Sequence, residues 1–248
     1  MSRFLSFWLA LLACCAAARA GEVSVAVAAN FSAPMQKIAQ AFEQQTGHKA
    51  LLSFGSTGAF YAQIRNGAPF QLLLAADDET PLRLEQEGLA VAGSRFTYAI
   101  GRLVLWSKQP GLVDGQGAVL RGGRFERLAL ANPRLAPYGT AAQETLTKLG
   151  LLAALRPRIV QGENIGQTYQ FVASENAELG FIALSQVIAD GRIAQGSAWI
   201  VPADLHAPLR QDAVLLAPGR EQPAVQALLA FLKGETARAV IRSFGYGF

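Results

Sequence analysis

An apolar run, a small polar turn and a helix-spaced apolar stripe follow one another twice between Val23 and Gly67. The first pass is Val23-Ser-Val-Ala-Val-Ala-Ala-Asn30, then Met35, Ile38, Ala39 and Phe42. The second is Leu51-Leu-Ser-Phe54, the turn Gly55-Ser56-Thr57-Gly58, then Phe60, Tyr61 and Ile64. Spacings of three and four place each apolar set on one helix face. Phe70 to Ala76 is nearly continuously apolar between Pro69 and Asp77-Asp78, which suits a strand covered on both faces of a parallel sheet. A helix from Thr80 to Gly88 follows, with Asp77 or Asp78 expected to cap it and Phe60, Tyr61 and, further on, Phe171 assigned to the core. The repeated alternation predicts a doubly wound α/β domain.

The segment Phe96 to Ser107 is long for one strand, and a strand of that length can cross from one lobe to another. The alternation then restarts. Strands are expected at Arg127–Ala131, Arg158–Val160 and Leu179–Ala183, and helices at Thr140–Leu149 and Gln167–Asn176. The polar segments Asn132–Gly139 and Gly162–Ile165 read as loops that open those helices. Asp212–Ala217 reads as a second crossing strand, followed by helices at Gln222–Leu232 and Glu235–Ser243. The predicted architecture is two α/β lobes, each a sheet flanked by helices. The first comprises residues 21–98 plus 210–248 and the second residues 99–209.

The first twenty residues stand apart from this pattern. Arg3 precedes an apolar run from Phe4 to Ala13, too short to span a bilayer, and Ala18-Arg19-Ala20 offers a cleavage site before Gly21. This reads as a secretory signal peptide and implies export to the periplasm. The alternative is a lipoprotein box at Leu11-Leu-Ala-Cys14. Both cysteines, Cys14 and Cys15, lie in this segment, so the exported part has no disulfide, thiolate metal site or cysteine nucleophile. Removing Arg3 and Arg19 leaves 20 basic against 18 acidic residues, a net charge of +2, with no basic run. Nucleic-acid binding has no electrostatic footprint here.

The two early turns are rich in hydroxyl, amide and glycine groups and carry no charge. A helix start presents unpaired N–H groups and the positive end of the helix dipole, so two adjacent starts form an anion site made of donors rather than cations. Asn30, with Ser32 nearby, reads on its own as a helix cap. Ser56-Thr57-Gly58 repeats the arrangement, and Pro137-Tyr138-Gly139-Thr140 and Asn164-Ile165-Gly166 supply counterparts in the second lobe. All four follow strands, at the sheet ends where open α/β folds bind ligands. Enzyme chemistry has little to work with. The only histidines are His48, in a polar turn, and His206, in a proline-rich loop. There is no Gly-x-Ser-x-Gly elbow, no phosphate-binding Gly-Lys-Ser/Thr loop and no metal-type ligand spacing.

Ala28-Ala-Asn-Phe, Ser53-Phe-Gly-Ser-Thr-Gly58, Ile64-Arg-Asn-Gly-Ala-Pro69, Leu74-Ala-Ala-Asp77, Ala131-Asn-Pro133, Pro137-Tyr-Gly139, Gly162-Glu-Asn-Ile165, Leu179-Gly-Phe181, Phe231-Leu-Lys-Gly234 and Phe244-Gly-Tyr246 occur in that order. In this the chain resembles the periplasmic molybdate-binding proteins of ABC uptake systems. The resemblance implies a two-lobed type II periplasmic-binding-protein fold that closes on a tetrahedral oxyanion. By position it implies ligand contacts at Asn30, Ser56, Thr57, Tyr138 and Ile165. Asn30 would donate through side chain or backbone, Thr57 through hydroxyl and N–H, and Ile165 through its backbone N–H. It also implies no protein ligand directly on the metal, no cofactor and no catalytic residue. The partner is an inner-membrane permease, the ligand molybdate or tungstate, and the protein a monomer. Some family members carry a ligand-binding tyrosine just after the Leu-Gly-Phe-Ile strand, where this chain has Ala183-Leu184; Tyr138 would then supply the phenol from elsewhere. A fully deprotonated oxyanion suits a site of donors without acceptors, whereas hydrogen phosphate would want a carboxylate. The alternatives are a receptor for sulfate, thiosulfate or another tetrahedral oxyanion, and an exported enzyme on the same fold.

Overall fold

The computed structural model describes residues 20–122, 125–189 and 191–248. The signal-peptide segment and the Cys14 alternative lie outside the described residues, save Ala20. The chain runs β1 (Glu22–Ala28), α1 (Ser32–Thr46), β2 (Lys49–Gly55), α2 (Thr57–Arg65), β3 (Leu72–Leu74), α3 (Glu79–Gln86), β4 (Phe96–Gly101) and β5 (Leu103–Ser107). It continues through α4 (Val119–Gly122), β6 (Leu128–Ala131), α5 (Pro137–Lys148), α6 (Leu152–Leu155), β7 (Ile159–Gly162), α7 (Ile165–Ala173) and β8 (Leu179–Ala183). A small hairpin of β9 (Ile188–Ala189) and β10 (Arg192–Ile193) precedes β11 (Ser197–Ile200), β12 (Leu209–Leu215), α8 (Pro223–Lys233) and α9 (Glu235–Ser243).

Two five-stranded sheets result, ordered β2-β1-β3-β12-β4 and β11-β5-β8-β6-β7. In the first, β1 pairs parallel with β2 and β3, and β12 lies antiparallel between β3 and β4. Alternation along the central strands divides the core as a period of two requires. Val23, Val25 and Val27 of β1, with Leu72 and Leu74 of β3, pack against Phe31, Met35, Ile38 and Phe42 of the first helical segment and against α8 and α9. Ala26 and Leu73 face the opposite side, against Phe60 and Ile64 of α2 and Leu84 of α3. The second sheet repeats the plan. Leu103, Leu105, Leu128 and Phe181 face Ala142 and Leu146 of α5, while Val104, Trp106 and Ile182 face Val172 of α7.

The long segment from Phe96 divides at Arg102, its two halves joining different sheets. The first sheet therefore keeps this segment beyond Tyr98 to Gly101, because β4 pairs with β12 through Gly101↔Leu209. Leu209 likewise already belongs to the first sheet. It nevertheless packs into the second lobe's core, while Ala213 and Leu215 pack into the first; the expected crossing strand from Asp212 thus lies within the first sheet, and the chain has already crossed by Leu209. Phe60 is buried as expected, whereas Tyr61 and Phe171 are only half-buried. The reason at Tyr61 is polar: its hydroxyl donates to Glu87, and Arg83 lies over its ring. Asp77 takes the capping role, accepting from Thr80 N at 2.9 Å, while Asp78 makes no side-chain cap.

Candidate functional site

Four helical segments begin at the carboxyl ends of β1, β2, β6 and β7. They converge on a small cavity of about 10 Å³, room for about one water. The first lobe supplies Ala28–Asn30, Gly55–Thr57 and Ala76, and the second supplies Ala136, Pro137, Tyr138 and Ile165. All five residues singled out in the sequence lie on this wall, and no lining side chain is charged.

Each start is set locally. Ala29–Phe31 forms a 3₁₀ turn that runs into α1, with Asn30 buried. Ser56 occupies the N-cap of α2 in extended geometry but makes no capping bond through its side chain, so its hydroxyl is not committed to the helix. Tyr138 lies inside α5 rather than in a turn before it, because Pro137 fits the first helical position, where no N–H is needed. Asn164 caps α7 by accepting from Gln167 N at 3.0 Å, leaving the N–H of Ile165 in the unpaired first turn.

The hydroxyls are oriented. Thr57 Oγ1 accepts from Ala76 N at 2.9 Å, and the Tyr138 hydroxyl accepts from Gln211 Nε2 at 3.1 Å. A hydroxyl whose oxygen already accepts an N–H keeps its own proton to donate. Both hydroxyls, one per lobe, are thus prepared as donors. Burial and the neighbouring Tyr246 push the Tyr138 phenol well above its ordinary range, so it stays protonated. Asn30 is more constrained than expected. Its Nδ2 uses both hydrogens, on Gln211 Oε1 at 2.9 Å and the Tyr246 hydroxyl at 3.0 Å, so donation to an anion falls to its backbone N–H. Its Oδ1 has no partner among the described residues.

The two lobes also touch directly. Gly58 N, in the first turn of α2, donates to Leu135 O across the cleft at 2.9 Å, and Ser185 Oγ, just after β8, donates to Asn30 O at 2.8 Å. An interlobe groove of about 370 Å³ shares Ala76, Ala136 and Pro137 with the cavity. Asp77, Asp78, Glu144, Arg134 and Arg210 line this groove, so charge appears outside the cavity and not within it.

The profile of bacterial extracellular solute-binding proteins matches residues 23–247. The chain belongs to that family. This solute-binding protein is 60% identical over 237 residues to the molybdate-binding protein ModA of Azotobacter vinelandii, covering 96% of this chain and 93% of that one. It is 50% identical over 229 residues to ModA of Rhodobacter capsulatus, with coverages of 92% and 89%. Among solved structures, the periplasmic molybdate-binding protein of Azotobacter vinelandii superimposes with a TM-score of 0.89 at 44% identity, over 91% of this chain and 99% of that one. The relatives are solute receptors, not enzymes, and the two-lobed type II fold is theirs.

Some of the solute-binding protein's polar architecture had no local signal. Tyr98, Gln211, Tyr246 and Ser185 gather behind the cavity, joined by the Tyr246 hydroxyl donating to Asn30 O at 2.8 Å and lying 3.0 Å from Ser185 Oγ. Only Tyr246 lies in one of the motifs that carry the family resemblance, Phe244-Gly-Tyr246, and the residues it meets are brought to it by the fold. His48 is half-buried, and its Nδ1 accepts from Gly21 N at 3.0 Å, at the opposite end of β1 from the cavity. His206 is buried, with Nδ1 2.7 Å from Ala207 O.

Asp77 marks the lip of the site. Desolvation pushes its carboxyl up to about 6, against the opposing bonds from Thr80. The folded state therefore holds this proton more tightly than the unfolded chain does. Its contribution to stability is present at low pH and falls away as pH rises from about 4 to about 6. Relative to wild type, Asp77→Asn should gain melting temperature across that interval and run parallel above it. Thermal melts of both proteins at half-unit pH steps check this, and parallel curves throughout would refute it.

Proposed function

We propose that this protein captures molybdate, and tungstate with it, between its two lobes and delivers it to the permease of an ABC transporter at the inner membrane. The carrying observation is the cavity wall: neutral on every side, contributed by both lobes, with the Thr57 and Tyr138 hydroxyls each held so as to donate. Asn30 and Ile165 add backbone N–H groups at helix starts, and Ser56 adds an uncommitted hydroxyl. Each helix start contributes about 0.3–1 kcal/mol toward an anion, more where water is excluded. A proton-free dianion pairs with such donors through every one of its oxygens and brings no proton that would need an acceptor. The identity of the relatives supports molybdate over other anions of that class. On this reading the protein works in the periplasm after removal of its signal peptide, as a monomer, without a cofactor and without contact with nucleic acid.

A cavity with room for one water cannot admit a tetrahedral oxyanion unless its walls part, so uptake requires the lobes to separate and close again. The direct test is titration calorimetry of the exported protein with molybdate, tungstate, sulfate and phosphate. Molybdate and tungstate should bind alike and far more tightly than the other two. Tighter binding of sulfate would establish the rival oxyanion reading instead. Tyr138→Phe removes one donor to a charged acceptor, and affinity for molybdate should drop by about 1–2 kcal/mol, or roughly tenfold. An unchanged titration would take Tyr138 out of the donor set.

A further inference from the structure

Gln211 is fully buried, lies off the cavity wall and bonds to two residues of that wall, Tyr138 and Asn30, and to Tyr98 behind it. Its Nε2 donates to the Tyr138 hydroxyl at 3.1 Å, and its Oε1 accepts from Asn30 Nδ2 at 2.9 Å and from the Tyr98 hydroxyl at 3.0 Å. The β12–β4 pairing shifts register between Gln211 and Asp212. Such an irregularity re-aims neighbouring side chains. Asp212 goes to Arg95 at 2.6 Å, and Gln211 goes to the network behind the cavity.

We infer that Gln211 is a positioning residue for anion selectivity: by donating to Tyr138 and accepting from Asn30, it fixes which way the phenolic proton points. This rests on the reading that the cavity takes a proton-free oxyanion. A phenol has one proton. With Gln211 Nε2 on its oxygen, that proton must go to another acceptor, and the choice lies between the nearby Tyr246 hydroxyl and the ligand. An anionic oxygen is the stronger acceptor of the two. An acceptor at position 211 would reverse the arrangement. The phenolic proton would turn away from the cavity, and a lone pair would face the anion. A glutamine is the side chain that offers a donor to Tyr138 and an acceptor to Asn30 at once.

The test is a double-mutant cycle read by molybdate calorimetry, with melting temperatures recorded in parallel. Gln211→Met keeps the length and removes all three side-chain bonds, and it should weaken molybdate binding at least tenfold. Because Gln211 acts through Tyr138, the double variant with Tyr138→Phe should bind no more than about twofold worse than Tyr138→Phe alone. A merely structural role would lower the melting temperature and multiply the two losses. Gln211→Glu provides the second arm where the methionine variant does not fold. It keeps an acceptor for Asn30 and Tyr98 but adds one for Tyr138, in surroundings that hold Tyr246, the Asp212–Arg95 pair and Asp77. Molybdate should be lost by at least 100-fold at pH 8 and partly recovered at pH 6 as the new carboxyl protonates. Its ratio to hydrogen phosphate should fall. Wild-type affinity in Gln211→Met, multiplicative losses, or a pH-independent Gln211→Glu would each overturn the inference while leaving molybdate binding intact. A wild-type protein that binds no molybdate would overturn the inference together with the reading beneath it.

Discussion

Gly101→Ala is expected to lose molybdate binding by at least 100-fold and to cost about 3 kcal/mol of stability, although Gly101 does not itself line the cavity. A Cβ at this position would overlap the Tyr138 hydroxyl and come within 2.5 Å of Gln211 Nε2. Both obstacles are side-chain tips, which in an exposed setting would swing aside. Here neither can. Tyr138 is 1% exposed and Gln211 0%, and each is tied to other buried polar groups. Moving the phenol breaks its bond from Gln211, and moving the amide releases Asn30 as well. Partly satisfied buried networks are costlier than apolar packing, so the damage spreads beyond one contact. Calorimetry and a denaturant melt on the same preparation check the two figures. Near-wild-type affinity in a folded Gly101→Ala protein would show that the phenol does not need its present place.

The contrast between Gly101 and Ser56-Thr57 shows what a sequence can display. The strand–turn–helix units were legible because the signals are local: period two along Val23, Val25 and Val27, then a 3–4 spacing through Met35, Ile38 and Phe42, with small polar residues between. Asn30, Ser56, Thr57, Tyr138 and Ile165 could be placed at helix starts for the same reason. The layer behind them could not. Gln211 meets Asn30 across 181 positions and Tyr246 meets it across 216, and nothing near either residue announces the pairing. The register shift at Gln211 is a property of two strands pairing, invisible in either one. Local chemistry also misplaced one boundary. Pro137-Tyr138-Gly139 looked like a turn, yet proline is well suited to the first position of a helix, and the helix starts there. The consequence is functional, since it puts Tyr138 on the dipole end of α5 and not in a loop that could move independently. Finally, the sequence left Asn30 to donate through its side chain or its backbone, and the choice between them depends on Gln211 and Tyr246, which take both amide hydrogens only in the folded structure.

Gly58→Val should separate lobe closure from folding. Gly58 N donates to Leu135 O at 2.9 Å, and a Cβ on Gly58 would sit 3.0 Å from Leu135 Cα and 3.2 Å from its carbonyl oxygen. These are backbone atoms of the opposite lobe, so they cannot rotate away. A valine adds two methyl groups beyond that Cβ and would hold the cleft ajar at the point where α2 meets the second lobe. The same substitution is nearly neutral within α2 itself, where valine is a few tenths of a kcal/mol better than glycine as a helix former. The melting temperature of the unliganded protein should therefore stay within a degree or two of wild type. Molybdate affinity should fall by roughly 100-fold, because an anion held by donors on both lobes loses one half of them when the halves do not meet. The loss should appear as faster release rather than slower capture, since an open cleft admits the ligand but does not retain it. Stopped-flow intrinsic fluorescence with molybdate, alongside thermal melts without it, distinguishes the outcomes. A variant that binds as tightly as wild type would show that the Gly58–Leu135 contact is not part of the closed state that holds the ligand.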